Sequence, residues 1–443
     1  MRFRSTNAPE LMSSDTTVSF KDAVLSCLPN DGGLYVPDKV KDIRQFFLYM
    51  DEQTSFSDLV STVAPSLLEG EFNPLSASRT TDSAFDFTPE IIRLDDDFSI
   101  LNLYNGPTGL YKDFGIAFLA AVLDVLRKDH SPLLVLAAAR GDTGISIARA
   151  FTGRKGINVV LVYPTGPVRG LDPAGFVPNG GNIIPIQIRG TFDDCQRLVN
   201  ETIRDKSFSA RYSITSANAI NPGRLLPQVF YYLYAFTRIK KQLSGDLAFS
   251  VPCGNFGNFI AGLYAWKFGM PVNGFVAAMN ANNALGGFFG GRDFVQGPPV
   301  KTNSPALDVS IPSNLSRLES FYREAPAVMR NIAYPASIGD DFVLKTIERV
   351  WKKYHLPVDP HTAVAFAAAE QTAADHAWKG HTHTIVLATG HYAKYADLIR
   401  KATGQTVTVP ESFKSLRKKV DPIALIPPQL DAFENAIASC YSL

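Results

Sequence analysis

The sequence predicts an α/β protein built on open, mostly parallel sheets. Three observations carry that reading. Short runs that are apolar on both faces recur along the chain, as expected of strands covered on both sides: Leu133–Ala139, Val159–Tyr163, Ile183–Ile188, Leu247–Val251, Gly274–Met279 and Thr384–Ala388. Stretches of helical character lie between them. Turns rich in Gly, Asn and Asp follow strands and open helices, where open α/β folds place their sites.

Taken in order, residues 1–95 form a separate opening region. Ser19–Leu28 is a short amphipathic stretch, Asp31-Gly32-Gly33 is a turn, and Asn73–Asp97, rich in Ser, Thr, Asp and Pro, reads as a linker. Helices are expected over Ile116–Arg127, Ile145–Phe151 and Phe192–Ile203, the last with Thr191 as N-cap and acids in its first turn. Further helices are expected over Leu225–Ile239, Phe259–Phe268, 341–354 and 362–377, and residues 283–304 read as a long loop.

Composition narrows the function. The chain has 443 residues, 46% of them hydrophobic and 19% charged, a globular balance that excludes disordered and collagen-like classes. Lys+Arg 43 against Asp+Glu 42 leaves no global field to attract nucleic acid or an anionic membrane, so a bound anion must be gripped locally. The four cysteines, Cys27, Cys195, Cys253 and Cys440, form no CxxC pair and fit free thiols in a reducing cytosol. No apolar run approaches the ~20 residues of a membrane helix, and the N-terminus lacks the apolar core of a signal peptide. A cytoplasmic protein is expected.

Four segments carry candidate chemistry. Cys253-Gly254-Asn255-Phe256-Gly257-Asn258 lies between a strand and a helix, so its N–H groups and the helix start can cradle a phosphate. It is neither a Walker A loop nor GxGxxG, and an ordinary tight turn is the alternative. Gly141-Asp142-Thr143-Gly144 offers donors to a carboxylate or, more simply, an N-cap. In Asn105-Gly106-Pro107-Thr108-Gly109-Leu110-Tyr111-Lys112-Asp113, desolvation would make Lys112 nucleophilic; pairing with Asp113 is the commoner fate. Ser216–Arg224 presents polar donors, with Arg224 able to hold a phosphate or carboxylate, or to be solvated. His381 and His383 alternate but lack a third ligand, so no metal is expected.

Together these segments resemble the threonine synthase family, pyridoxal-phosphate (PLP) enzymes of fold type II. Arg4-Ser5-Thr6 and Asp31–Pro37 resemble its N-terminal signature. Asn105–Gly115 resembles its H-G-P-T-x-x-F-K-D motif, Ser216–Tyr232 its S-x-N-S-x-N-x-x-R-x-x-x-Q-x-x-Y-Y, and Gly254–Asn258 its phosphate loop. Leu307–Ser310, Pro360–Ala365 and Thr389–Lys394 resemble its C-terminal landmarks. The resemblance implies a tryptophan synthase β-like fold: two open sheets, with the PLP lysine in 96–244 and the phosphate loop in 245–443, after an N-terminal domain over 1–95. It implies PLP as cofactor, with Lys112 catalytic, and Asp142, Gly254, Asn255, Phe256, Gly257, Asn258 and Thr389 holding it. Arg140, Gly141, Thr143, Asn218, Arg224 and Arg169 are the residues expected at the substrate. The implied reaction turns O-phospho-L-homoserine and water into L-threonine and phosphate, in a monomer or homodimer.

The departures gather at the substrate. The family's T-S-G-D-T-G reads Ala139-Arg140-Gly141-Asp142-Thr143-Gly144, and its Y-P-x-G-K-[VI]-S-x-x-Q reads Tyr163–Asp172 with Pro167, Arg169 and Asp172 at the changed places. Ala219 replaces a serine, Cys253 another, and Asn105 a histidine. A site that loses hydroxyl donors loses discrimination; Arg140 and Arg169 could restore anion binding, or Arg140 could face solvent. Three readings follow: a threonine synthase, a related PLP lyase that releases phosphate or another leaving group without making threonine, and a binding or regulatory protein without catalysis.

Overall fold

The computed structural model describes residues 1–8, 17–68, 73–127, 131–283, 286–292, 294, 297–375, 378 and 380–441. Its strands, in chain order, are β1 (Arg2–Ser5), β2 (Val18–Ser19), β3 (Tyr35–Pro37), β4 (Glu90–Arg93), β5 (Phe98–Asn102), β6 (Leu133–Ala138), β7 (Ile157–Pro164), β8 (Val168–Arg169), β9 (Ile183–Ile188), β10 (Ile214–Ser216), β11 (Asp246–Pro252), β12 (Gly274–Met279), β13 (Ala333–Ser337), β14 (Thr382–Ala388), β15 (Lys419–Val420) and β16 (Ala424–Ile426).

They form two large sheets. One is parallel throughout, in the order β10-β6-β7-β9-β16. The other runs β13-β12-β11-β14-β5-β4, with only the β4–β5 pair antiparallel. A small antiparallel sheet, β2-β1-β3, belongs to the opening region. The sheets exchange chain ends: β5 joins the strands of the C-terminal half, and β16 returns to those of the N-terminal half. This is the expected fold class, two open and mostly parallel sheets.

The predicted strands coincide with β6, β7, β9, β11, β12 and β14 to within two residues at either end, because each is an almost fully covered apolar run; β7 and β14 each begin two residues earlier than expected, at Ile157 and Thr382. Asn73–Asp97 is not a linker. Asn73 accepts from the Ser76 N–H and caps a helix, Pro74–Ala84, with proline in the first turn where its missing N–H costs nothing. That helix packs on Lys112–Leu126, and β4 follows it. The helix expected from Leu225 is broken at Pro227 into Pro222–Leu225 and Gln228–Ile239. The helix expected over 362–377 is Pro360–Ala374; residues 376 and 377 lie outside the described residues. Within 283–304 a single helical turn, Gly286–Phe289, interrupts the expected loop.

The helix expected from Ile116 begins earlier, at Lys112, which therefore sits at its first turn. The helix is apolar almost all round, with Phe114, Phe118 and Leu119 fully covered, so it cannot lie on the surface. It lies in the main core cluster with residues of both sheets, among them Leu133 and Phe249. The helix Pro360–Ala374 is similarly buried under β11, β12 and β14.

Candidate active site

The lysine is placed by a backbone zipper. The Tyr111 N–H donates to the Thr389 carbonyl at 3.0 Å, the His391 N–H donates to the Gly109 carbonyl at 2.9 Å, and Leu110 bridges Gly390. This brings Lys112 beside the end of β14, where Thr389 is buried. Gly109 has a φ of +66°, and a Cβ there would lie 2.5 Å from the Phe413 ring, so only glycine fits.

Asp113 does not pair with Lys112. It is buried, and accepts from the Thr108 N–H at 2.8 Å, the Thr108 hydroxyl at 2.7 Å and the Ser146 hydroxyl at 2.5 Å. Burial nonetheless raises its pKa. Its work is to fold the Gly106–Thr108 turn in front of the lysine.

Lys112 Nζ donates to Thr143 Oγ1 at 3.0 Å. Burial lowers its pKa to about 8, and the nearby Arg224 cation adds to the effect; Asp142 opposes it, while Lys394 and Arg140 reinforce it. No side chain caps the helix Asp142–Phe151: Thr143 meets the lysine instead, and Asp142 forms an ion pair with Lys394. Gly141 (φ +54°) is exposed, with open space where a side chain would be.

Arg224 is buried, donates to the Ala217 carbonyl at 2.5 Å, and has no carboxylate within ion-pair distance among the described residues. Burial lowers its pKa to about 10. An uncompensated guanidinium beside a lysine is poised for an anion. Asn218 has its side chain engaged differently from that expectation: it accepts from the Ala138 N–H at 2.9 Å and donates to the Ala138 carbonyl at 2.8 Å, extending the end of β6.

The segment 254–258 has the form of an anion cradle. A Cβ on Gly254 would lie 2.6 Å from the Ala306 carbonyl oxygen, Phe256 takes a left-handed conformation (φ +57°), and no side chain caps the helix Gly257–Lys267 that follows. Asn258 accepts from the Tyr231 and Tyr232 hydroxyls at 2.6 and 2.7 Å, but its buried Nδ2 has no partner among the described residues. An orphaned buried donor at an uncapped helix start fits an anionic group. Asn255 accepts from the Ser313 N–H at 3.0 Å, so its side chain holds the loop to a neighbouring segment. Cys253, buried with its thiol pKa pushed well up, is inert.

Arg140 and Arg169 are both exposed. Arg169 lines a pocket of about 300 Å³ with Asp142, Tyr163, Pro167, Lys394 and Arg417. The Tyr163 hydroxyl is buried there without a partner. Arg417 comes from the chain just before β15, which pairs with β8 and so delivers it to this pocket. Arg140 acts on Lys112 through its charge.

His383 is buried, bonded to the Ser99 hydroxyl at 2.8 Å and to the Asp96 carbonyl at 2.7 Å, whereas His381 pairs with Asp97 at 3.3 Å; the two do not converge. Arg317 lies in no motif that the sequence marks. Almost fully buried, it donates to the carbonyls of Tyr35, Ala219 and Ile220 and to Asn314, whose amide in turn donates to the Asn255 carbonyl. Only the buried position distinguishes it from any other arginine on an amphipathic helix.

Comparison with known proteins agrees with this geometry. The family described as "Pyridoxal-phosphate dependent enzyme" matches residues 95–390, "Threonine synthase N terminus" residues 2–85, and "Threonine synthase, C-terminal" residues 362–437. The threonine synthase of Escherichia coli is 33% identical over 407 residues, covering 91% of this chain and 92% of its own length; that of Saccharomyces cerevisiae is 28% identical over 94% and 93%. The crystal structure of the Escherichia coli threonine synthase superposes with a TM-score of 0.86 over 99% of this chain and all of its own. A PLP-bound threonine synthase from Brucella melitensis gives 0.85 over 99% of each chain at 27% identity. Maize serine racemase, 14% identical with a TM-score of 0.52, shares the fold alone. A lysine amine held against the end of β14, an anion cradle at a helix start and family matches along almost the whole chain converge: the protein belongs to the threonine synthase family of pyridoxal-phosphate dependent enzymes.

Proposed function

We propose that the protein is a threonine synthase, a PLP-dependent lyase that converts O-phospho-L-homoserine and water to L-threonine and phosphate. The observation that carries the reading is the Lys112 amine, its pKa lowered to about 8 between Thr143 and the buried cation Arg224. PLP, when bound, supplies an aldehyde for that amine and a ring that accepts electrons from the substrate's carbons. The N–H groups of Gly254–Asn258 and the unpartnered Asn258 Nδ2 would hold its phosphate end, and the buried Thr389 would offer its ring an uncharged hydroxyl.

Lys112 takes and returns protons at the substrate's carbons, a task that a pKa near 8 suits. Thr143 aims its Nζ. Arg224 binds a substrate anion, exchanging an unpaired buried charge for a paired one. Gly141 presents open backbone to the substrate, and Arg140 and Arg169 take over anion binding where the family's hydroxyl and lysine positions have changed, with Arg169 working in the pocket it shares with Arg417. The protein acts on this small molecule in the cytoplasm as a monomer or homodimer, without nucleic acid. Among the described residues no helix is long and apolar enough to cross a membrane.

The exposed Arg140 and Arg169 favour one second reading, a lyase that releases phosphate but leaves a keto acid. Product analysis separates the two. Equal amounts of phosphate and threonine from O-phosphohomoserine establish the synthase, phosphate with a keto acid establishes the lyase, and a protein that takes up no PLP excludes both.

A further inference from the structure

Two buried residues outside the set assigned above touch both ends of the cofactor site. Asp359 precedes the helix Pro360–Ala374 and caps it, accepting from the Thr362 N–H at 3.0 Å and from the Thr362 hydroxyl. Its other oxygen meets His361 Nδ1 at 2.5 Å. That same oxygen lies against the backbone of Gly390, where a Cβ would come within 3.3 Å. Gly390 directly follows Thr389 and bridges Leu110, two residues before Lys112.

The second nitrogen of His361 faces the opposite end. Nε2 accepts from the Ala306 N–H at 3.1 Å, which requires the neutral tautomer with its proton on Nδ1, toward Asp359. The Ala306 carbonyl in turn is the group that leaves no room for a side chain on Gly254, the first glycine of the cradle. Both side chains are almost fully covered, and Tyr395 packs edge-on to the imidazole at 5.4 Å. A continuous path therefore runs from Thr389-Gly390 through Asp359, His361 and Ala306 to Gly254. A simple helix cap would need only Asp359 and Thr362; it would not need an imidazole reaching a peptide of another loop.

We propose that Asp359 and His361 are positioning residues that set the distance between the ring end and the phosphate end of the cofactor site. This rests on the PLP reading above. Two substitutions divide the imidazole's bonds. His361→Asn keeps a donor toward Asp359 and loses the acceptor for the Ala306 N–H; His361→Gln keeps an acceptor near Nε2 and loses the donor.

The test follows PLP retained by the holoenzyme during dialysis, the 31P resonance of the bound cofactor, and the melting temperature of each variant. His361→Asn is expected to lose PLP about tenfold faster, the scale of one buried hydrogen bond, and to shift the 31P resonance. His361→Gln is expected to keep the wild-type resonance. If both variants retain PLP like the wild type, the proposal is overturned while the cofactor reading stands. If PLP loss merely follows a fall in melting temperature, equally in both variants, the pair is only structural and the proposal is again overturned. A wild-type protein without PLP removes the cofactor reading and this inference together.

Discussion

Lys112 Nζ and Thr143 Oγ1 lie 3.0 Å apart, joining the first turns of two helices, Lys112–Leu126 and Asp142–Phe151. The threonine gives the amine a direction without giving it a charge, so the lysine can lose its proton near neutral pH. Replacing Thr143 by Val is expected to lower kcat about 10- to 100-fold while PLP stays bound, because covalent attachment depends on the amine and proton delivery on its aim. Lys112→Ala should abolish both turnover and the cofactor's absorbance. Spectra and steady-state kinetics of the two variants check this.

The lysine should also reveal itself in the pH dependence of stability. Its folded pKa, about 8, lies below the ordinary 10.5, so the folded state binds fewer protons there than the unfolded chain. Stability of the cofactor-free protein is then penalised in full below pH 8 and recovers as pH rises from about 8 to 10.5. Lys112→Met should accordingly stabilise the cofactor-free protein at pH 7, by on the order of 2 kcal/mol, and the difference should vanish near pH 10.5. Denaturant melts of both proteins across that range measure it.

Arg224 presents the same balance with a charge that stays in place at neutral pH. Buried without a counter-ion among the described residues, it costs stability and gains binding. Arg224→Met should raise the melting temperature of the ligand-free protein and raise KM for O-phosphohomoserine about 100-fold or more. A lower melting temperature together with an unchanged KM would refute the assignment.

Asn258 can be tested without disturbing its tyrosines. Asn258→Asp preserves acceptors for the Tyr231 and Tyr232 hydroxyls but removes the Nδ2 donor and puts a negative charge beside the phosphate. PLP affinity should fall about 100-fold with little change in melting temperature. Equilibrium dialysis of PLP reads the effect.

Arg140→Ser and Arg169→Ser separate substrate from cofactor. Each should change KM for O-phosphohomoserine several-fold and leave PLP retention at the wild-type level. Equal losses in both measurements would mean that these arginines serve the cofactor site as a whole.

The long covered strands and the two glycine turns could be read directly, because burial on both faces and turn chemistry are written in neighbouring residues. Short edge strands such as β10, β15 and β16, with two or three residues each, have too little periodicity to read. The stretch after Asn73 misled for a related reason: its helix is polar and held by an N-cap and by packing on Lys112–Leu126, so its composition resembles a loop. Asn218 shows the same limit within the site. Its motif singled it out, but only the approach of Ala138 determines that both ends of its amide are occupied.

The sequence by itself determined the α/β class and the family, and singled out Lys112 and the Gly254–Asn258 loop, since each depends on residue types at fixed local spacing. The tertiary structure decided what those groups are. It lowers the Lys112 pKa, leaves Arg224 without a carboxylate partner among the described residues, joins Asp142 to Lys394, and brings Asp359 and His361 under both ends of the site. These are properties of distance and burial between groups remote in the chain. Coulomb interaction and desolvation act through space, and only the folded arrangement of the two sheets sets those distances.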